Sequence, residues 1–431
     1  MAVRPEVTAI IGGGASGVLT ALHLQRAACA VDKLVVVEPR SDLGKGIAYG
    51  TDDIGHLLNV RAGCLSALPE DPGHFAAWAA RRAGSDGSSF LPRAWYGEYL
   101  NSLLGPVEHI RATAVDLVPF GSGVQVVLSD GTQLEVDRTV LAPGSSPPAW
   151  PGPIGGAGRR WIRDPWATGA LSGLRPGDPI LLVGTGLTAV DVALSLQAGG
   201  HQVVATSRHG LLPQRHADEP FDPIRCTPPD RPTARSLLAW ARATAAEVGD
   251  WAPVVDSLRG HTNYLWERIA ESERVRLLRH VHRRWEVLRH RMPPQVAARI
   301  QNMQDTGQLT IVSGGIRSAG ETGRGVDVTL DAGLLRVSAV VNCTGPTADV
   351  TRTPHPLVRR LLYRRVARRG PLHLGLETDA RGCLPDTDDT LWLVGPLRRG
   401  RQWETSAIPE IREQAADLSM SFRRAPELVG V

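Results

Sequence analysis

Val7-Thr8-Ala9-Ile10-Ile11-Gly12-Gly13-Gly14-Ala15-Ser16-Gly17, continued by an amphipathic segment and a second apolar run that stops at Glu38, decides the fold. The pattern is strand, tight turn, helix, strand. Gly12 allows the turn, Gly14 lets a pyrophosphate approach the backbone, and Gly17 lets the helix pack close on the strand. The free N–H groups at the helix start, around Ala15 and Ser16, bind phosphate oxygens. Glu38 closes the second strand about 20 residues on, where an acid binds an adenosine ribose. A glycine-rich turn alone also serves ordinary packing. Here strand, turn, helix and acid are in register, and the stretch is taken as a dinucleotide site.

A second unit of the same kind lies in the middle of the chain. Ile180-Leu181-Leu182-Val183 is an apolar strand, Gly184-Thr185-Gly186-Leu187-Thr188-Ala189 fits G-x-G-x-x-A, and a helical run leads to a strand at 202–205. That strand ends in Thr206-Ser207-Arg208-His209 instead of an acid. A carboxylate would repel the 2′-phosphate of NADP, whereas serine and arginine bind it. The expected contacts are Gly184, Gly186, Thr188, Ser207 and Arg208, with a preference for NADPH.

Around these units the organisation is coarser. Glycines and polar residues at 44–50, followed by His56-Leu57-Leu58-Asn59-Val60, imply a loop beside the first ligand. Residues 71–104 are helical in pieces, with Phe75, Trp78, Trp95, Tyr96 and Tyr99 on one apolar face that suits core packing better than a pocket. Strands alternate over 122–141 about a turn at Ser129-Asp130-Gly131 and end in Val140-Leu141-Ala142-Pro143-Gly144. A Pro-, Gly- and Ser-rich stretch at 145–158 marks a crossing between domains. Residues 233–307 form a helical insert whose basic face, with Arg279, Arg283 and Arg289 among its residues, is more in keeping with a solvated surface than with an anion site. Strand patterns return at 309–312, 326–330 and 337–341. A run at 391–396 and a final helix from about Ser406 close the chain.

Composition narrows the class. The 431 residues carry a net charge of +4 with arginines spread along the chain, which argues against nucleic acid as partner. No apolar run reaches the roughly 18 residues needed to cross a membrane, and the chain enters its first strand without a leader, so a cytoplasmic enzyme is expected. The five cysteines form no CxxC pair and no metal-ligand spacing, so buried inert thiols are expected and no metal site.

Together these motifs resemble the flavoproteins with two dinucleotide-binding domains, which include flavin monooxygenases and glutathione-reductase-like enzymes, and the resemblance covers the whole chain. It implies FAD at the first motif and NADPH at the second. It also implies a return strand ending at Asn342-Cys343-Thr344-Gly345, with Thr344 and Gly345 near the cofactor, and a late turn at Gly395 that reaches the flavin. The family's aspartate in that turn is replaced here by Pro396. Residues 56–60, the arginine-rich 285–294 and 395–412 are similar to a narrower group of bacterial FAD/NAD(P)-binding proteins with relatives that oxygenate amine nitrogens. By that resemblance Asn59 either bonds the isoalloxazine edge or is a satisfied loop amide. His56 is a candidate base or a structural histidine, Trp403 a wall of the flavin pocket or an ordinary packing residue, and the helix start at Ser406, Pro409 and Glu410 an electrostatic support for reduced flavin or plain capping. Gly144 joins the expected cofactor contacts. Residues 156–166 lack the histidine of the Baeyer–Villiger fingerprint, so that chemistry is not supported.

The expected fold is α/β, with two Rossmann-like domains: FAD-binding at 1–170 and 335–431, and NADPH-binding at 171–334 with the insert. The expected function is NADPH-dependent N-hydroxylation of a small polar, amine-bearing substrate by molecular oxygen through a flavin C4a-hydroperoxide. A dehydrogenase or reductase with a non-oxygen acceptor, and a non-catalytic FAD or nucleotide sensor, are the alternatives. The sequence leaves the substrate and any oligomeric state open.

Overall fold

A computed structural model describes residues 5–27, 31–151, 154–174, 179–221, 224, 227–230 and 232–422. Cys29 and Cys226 lie outside them. The chain divides into two compact units.

Unit 1 comprises the chain up to Asp52, Val60–Ser146 and the chain from Ala348 on. Its centre is a parallel sheet of β1 (Val7–Ile11), β2 (Lys33–Val37), β3 (Glu108–Ile110), β7 (Arg138–Leu141) and β16 (Leu391–Leu393), in the order β16-β7-β1-β2-β3. Both faces of such a sheet are covered, so its strands are continuous apolar runs: Ala9, Ile11, Val35, Val37, Leu141, Leu391 and Leu393 share one core. Helix α1 (Ala15–Arg26) follows β1 and packs against α12 (Ile408–Ser421). Helices α2 (His74–Ala83) and α3 (Arg93–Leu103) bring Phe75, Tyr96 and Tyr99 together as fully buried, mutually tilted rings, so three of the five stripe residues are core while Trp78 and Trp95 are half-buried. An antiparallel sheet of β4 (Ala114–Phe120), β5 (Gly123–Leu128) and β6 (Gln133–Val136) completes the unit, and β4 packs against α11 (Pro356–Tyr363). Gly131 turns β5 into β6 at φ +88°.

Unit 2 comprises Asp53–Asn59 and Pro147–Thr347. Its parallel sheet joins β8 (Trp161–Ile162), β9 (Ile180–Val183), β10 (Val203–Ser207), β11 (Leu309–Ser313) and β15 (Ala339–Asn342), in the order β11-β10-β9-β15-β8. Helix α4 (Leu187–Ala198) follows β9. The insert is α5 (Ala234–Val248), α6 (Trp251–Arg259), α7 (Thr262–Arg268), α8 (Glu271–His280), α9 (His282–Arg289) and α10 (Pro294–Asp305). It has its own core of Ala241, Ala245, Val254, Leu258, Leu265 and Ile269. The buried Arg291, which follows α9, fastens it by a bidentate pair with Asp256 of α6. An antiparallel sheet of β12 (Ile316–Thr322), β13 (Gly325–Leu330) and β14 (Gly333–Val337) precedes β15.

These boundaries correct the expected ones of 170/171 and 334/335. Both β8 and β15 pair within the second sheet, and 53–59 joins unit 2 because Leu57 packs on its core and His56 bonds α4. The run at 337–341 is also two strands, since Val337 ends β14 and Ala339 starts β15.

Candidate dinucleotide sites

In each unit the first strand sits where the strand order reverses, β1 between β2 and β7, and β9 between β10 and β15. Ligands bind α/β sheets at the carboxyl ends of the strands at such a switch point. Both glycine turns are there.

In unit 1, Gly12 adopts φ +106°, and a Cβ there would stand 2.3 Å from the Ala142 carbonyl oxygen. A Cβ on Gly17 would stand 1.8 Å from the Gly12 oxygen, so only glycine lets α1 approach this closely. Gly144, just past β7, adopts φ +73°. Glu38 is 5% exposed, and its Oε2 accepts the Gly13 N–H at 2.9 Å while Oε1 accepts from Arg40 N at 3.1 Å. The expected neighbouring loop lies alongside: Gly44 N–H donates to the Gly13 carbonyl at 2.8 Å, and Gly46 Cα is 3.4 Å from a Cβ placed on Gly14.

The late turn also arrives here. Gly395, at φ +93°, stands so close to Ser16 that its Cβ would lie 2.6 Å from Ser16 Oγ. Gln414 of α12, 4% exposed, accepts the Gly395 N–H at 2.8 Å and donates to Thr405 Oγ1 at 2.7 Å, and Thr405 donates to the Gly395 carbonyl at 2.9 Å. Gln414 thus holds the Gly395-Pro396 turn, a role its helical sequence context gave no means of seeing. Trp403 stacks under the Arg399 guanidinium at 4.2 Å. Ser406 is exposed one residue before Ala407, the N-cap of α12, with Pro409 and Glu410 in the first turn.

Unit 2 repeats the construction. Gly184 adopts φ +118°, and a Cβ there would stand 2.4 Å from the Cys343 carbonyl oxygen. Gly345, past β15, adopts φ +80°. Asn342 Oδ1 accepts from Thr344 N at 3.2 Å and Oγ1 at 2.7 Å. Thr344 and Gly345 therefore belong to unit 2, beside the second turn, where Gly144 stands in unit 1. Thr188 lies in the first turn of α4.

The helix starts fit anionic ligands. Thr233 caps α5 with a capping box and Asp250 caps α6. Helices α1 and α4 begin at Gly14 and Gly186 with neither a side-chain cap nor an acid in the first turn. Helices α2, α3 and α7 lack both as well, but of these only α1 and α4 follow a glycine turn at the carboxyl end of a parallel strand, where backbone donors suit phosphate oxygens.

The ends of the second strands differ. In place of Glu38, unit 2 has Ser207, whose hydroxyl accepts the Gly210 N–H at 3.1 Å and lies 2.8 Å from Thr185 Oγ1. Thr185 donates to the Leu211 carbonyl at 2.7 Å. Arg208 is exposed. Arg283 of α9, which the sequence assigned to a solvated face, donates to Thr185 Oγ1 at 2.9 Å and the Leu211 carbonyl at 2.6 Å. Burial lowers the pKa of its guanidinium, and the Arg208 charge adds to this against an opposing pull from Glu286.

His56 is 5% exposed, with Nε2 2.9 Å from Ser195 Oγ, 3.3 Å from the Asp191 carbonyl and 3.4 Å from Asp53 Oδ2, and with Trp166 edge-on at 5.7 Å. Ser195 donates to Asp53 Oδ2 at 2.9 Å. Burial opposes ionisation of Asp53, but the Gly55 N–H, Ser195, His56 and Arg299 outweigh it and hold the carboxyl below its ordinary pKa. The Asn59 carbonyl accepts from His216 Nε2 at 3.0 Å. Both residues thus lie in unit 2, on a strap fastened to α4 and to the segment after β10. Among the described residues, no helix is long and apolar enough to cross a membrane, and no cluster of His, Cys, Asp or Glu suits a metal ion.

Residues 9–146 match the model of a family described as FAD-NAD(P)-binding. A stretch of 153 residues, 31% of this chain, is 35% identical to the L-aspartate N-monooxygenase (nitrosuccinate-forming) of Streptomyces cremeus and spans 22% of that protein's length. Among solved structures, the L-lysine 6-monooxygenase of Pseudomonas syringae superposes with a TM-score of 0.67 at 16% identity, over 98% of this chain and 100% of that one. The ornithine N-hydroxylase of Kutzneria sp. 744 gives 0.66 at 14%, over 97% and 99%. The bacillithiol disulfide reductase of Staphylococcus aureus gives 0.57 at 10%, over 97% and 98%. N-hydroxylating enzymes and a disulfide reductase alike share this architecture, so the likeness concerns fold alone. Residues 9–146 accordingly resemble an FAD-NAD(P)-binding domain, and the chain as a whole shares its α/β fold with these solved structures.

Proposed function

We propose that this chain is an NADPH-dependent flavin monooxygenase that N-hydroxylates a small, polar, amine-bearing substrate. The observation that carries the reading is the pair of unlike turns, one followed by a carboxylate, Glu38, and the other by Ser207 and Arg208. Unit 1 would hold FAD through Gly12, Gly14, Ala15, Ser16 and Gly17, with Glu38 accepting from ribose hydroxyls. Unit 2 would hold NADPH through Gly184, Gly186 and Thr188, with Arg208 near the 2′-phosphate. Bound FAD supplies acceptance of hydride and activation of dioxygen. The chain's own residues bind and orient: Gln414 fixes the Gly395 turn over Ser16, and His56 positions the strap on α4, its ring being enclosed by Ser195, Asp53 and Trp166.

Oxygenation at nitrogen is supported by the local likeness to an aspartate N-monooxygenase. Of the described thiols Cys64 is exposed, against the expectation of buried ones, and the two buried thiols, Cys343 and Cys383, favour a thiol relay less. Burial pushes the Cys343 thiol up strongly, and it pushes Cys383 up to about 11, so both stay protonated and poor as nucleophiles. The test supplies FAD, NADPH, isotopically heavy dioxygen and a panel of amino acids and small amines, with products read by mass spectrometry. Heavy oxygen in an N-hydroxylated product is expected. NADPH oxidation that proceeds only with a quinone or disulfide acceptor would overturn the monooxygenase and leave the reductase.

A further inference from the structure

The helical insert places one charge in the second nucleotide site. Arg283 reaches the G-x-G turn itself, donating to Thr185, its middle residue, and to the Leu211 carbonyl. Both acceptors are neutral, and Glu286, one turn on along α9, faces His282 at 3.2 Å and His290 at 3.8 Å. Arg208 follows Ser207 directly, and its charge opposes that of Arg283. Arg283 bonds the Thr185 hydroxyl, which lies 2.8 Å from that of Ser207, the neighbour of Arg208, so two like charges meet at the end of β10 as a site for a dianion. The Ser207 hydroxyl is already occupied by the Gly210 N–H and Thr185, which leaves anion charge to the arginines.

We propose that Arg283 is a second cation for the 2′-phosphate of NADPH, so that the insert reads the phosphate together with Arg208. This rests on the reading of unit 2 as an NADPH site. The insert is then part of cofactor selection, and binding of NADPH adds a tie between α9 and the turn after β9.

The test is calorimetric titration of the full chain with adenosine 2′,5′-bisphosphate and with AMP, which differ by the 2′-phosphate. Wild type, Arg283→Gln, Arg283→Lys and Arg208→Gln are compared after their melting temperatures are measured. The wild type should bind the bisphosphate more tightly. Arg283→Gln should weaken the bisphosphate about tenfold and AMP less than twofold. Arg283→Lys, which keeps the charge without the fork, should fall between, and it carries the test if the Gln variant does not fold. Raising salt should weaken bisphosphate binding less in Arg283→Gln than in wild type. A wild type that binds both ligands equally would overturn the NADPH reading itself. A wild type that discriminates, together with an Arg283→Gln or Arg283→Lys variant that discriminates equally well, would overturn Arg283 alone. So would an equal loss of both ligands, since Arg283 would then act only by supporting the Thr185 turn.

Discussion

The two nucleotide turns are built alike at the backbone and unlike at the side chains. Gly12 presses on the Ala142 carbonyl as Gly184 presses on that of Cys343, and each neighbouring strand runs on into a positive-φ glycine, Gly144 or Gly345. The third position of the motif departs from this: Gly17 leaves no room for a Cβ, whereas Ala189 occupies the matching place as a buried methyl. The ends of the second strands depart further, with a buried carboxylate in one and a hydroxyl hub with two arginines in the other. On the proposed reading, the shared backbone geometry would provide for the pyrophosphate and the strand end would select which ribose follows.

The largest effect should come from exchanging the third residue. Gly17→Ala places a methyl 1.8 Å from a backbone oxygen and should destabilise unit 1 by about 3 kcal/mol, giving a protein that melts lower and loses FAD on gel filtration. The reverse exchange in unit 2, Ala189→Gly, removes only a buried methyl from α4 and should cost about 1 kcal/mol. Equal melting losses in the two variants would break the comparison.

Glu38→Gln should come next. It weakens the bonds from Gly13 and Arg40, charge-assisted contacts of about 1.5–3 kcal/mol, and should lower FAD affinity about tenfold in a fluorescence titration of apoprotein. Unchanged FAD affinity would mean that the carboxylate only fastens the turn.

Arg208→Ala sharpens the other side. KM for NADPH should rise about tenfold while KM for NADH stays within twofold, measured by flavin-dependent NAD(P)H oxidation. Parallel losses would remove Arg208 from the 2′-phosphate.

The smallest effect belongs to the strap. Because the folded Asp53 carboxyl has a depressed pKa, its stabilisation is present above the ordinary carboxylate range and is lost as pH falls through the folded value. Asp53→Asn should therefore melt slightly lower than wild type at pH 7, and the gap should close below about pH 4. A gap independent of pH would show that packing, not charge, fastens the strap.

How legible each part was follows from the range of its causes. The first βαβ unit was legible to within a residue because its turn, helix start and acid are neighbours in sequence, and β9 with α4 for the same reason. Strand β12 was missed because most of Ile316–Thr322 is exposed and carries no alternation, and β8 because two residues make no pattern. The strap at 53–59 was read as part of the first unit because its partners, Ser195 and His216, are more than 130 residues away in sequence. Arg283 was misread for a similar reason. Nothing within α9 distinguishes it from Arg284, and only the folding of the insert onto the Thr185 turn separates them.

The order of segments along the chain has a consequence for synthesis on the ribosome. Unit 2 closes at Thr347, whereas the sheet of unit 1 takes β16 from 391–393 and α1 packs on α12 at 408–421. The nucleotide unit that emerges first must therefore wait, once β7 is made, for the 280 residues from 142 to 421, about 14–56 s of elongation. During that interval β7 presents an unpaired edge and α1 an uncovered face, so the nascent first unit is the part of this protein in most need of a chaperone.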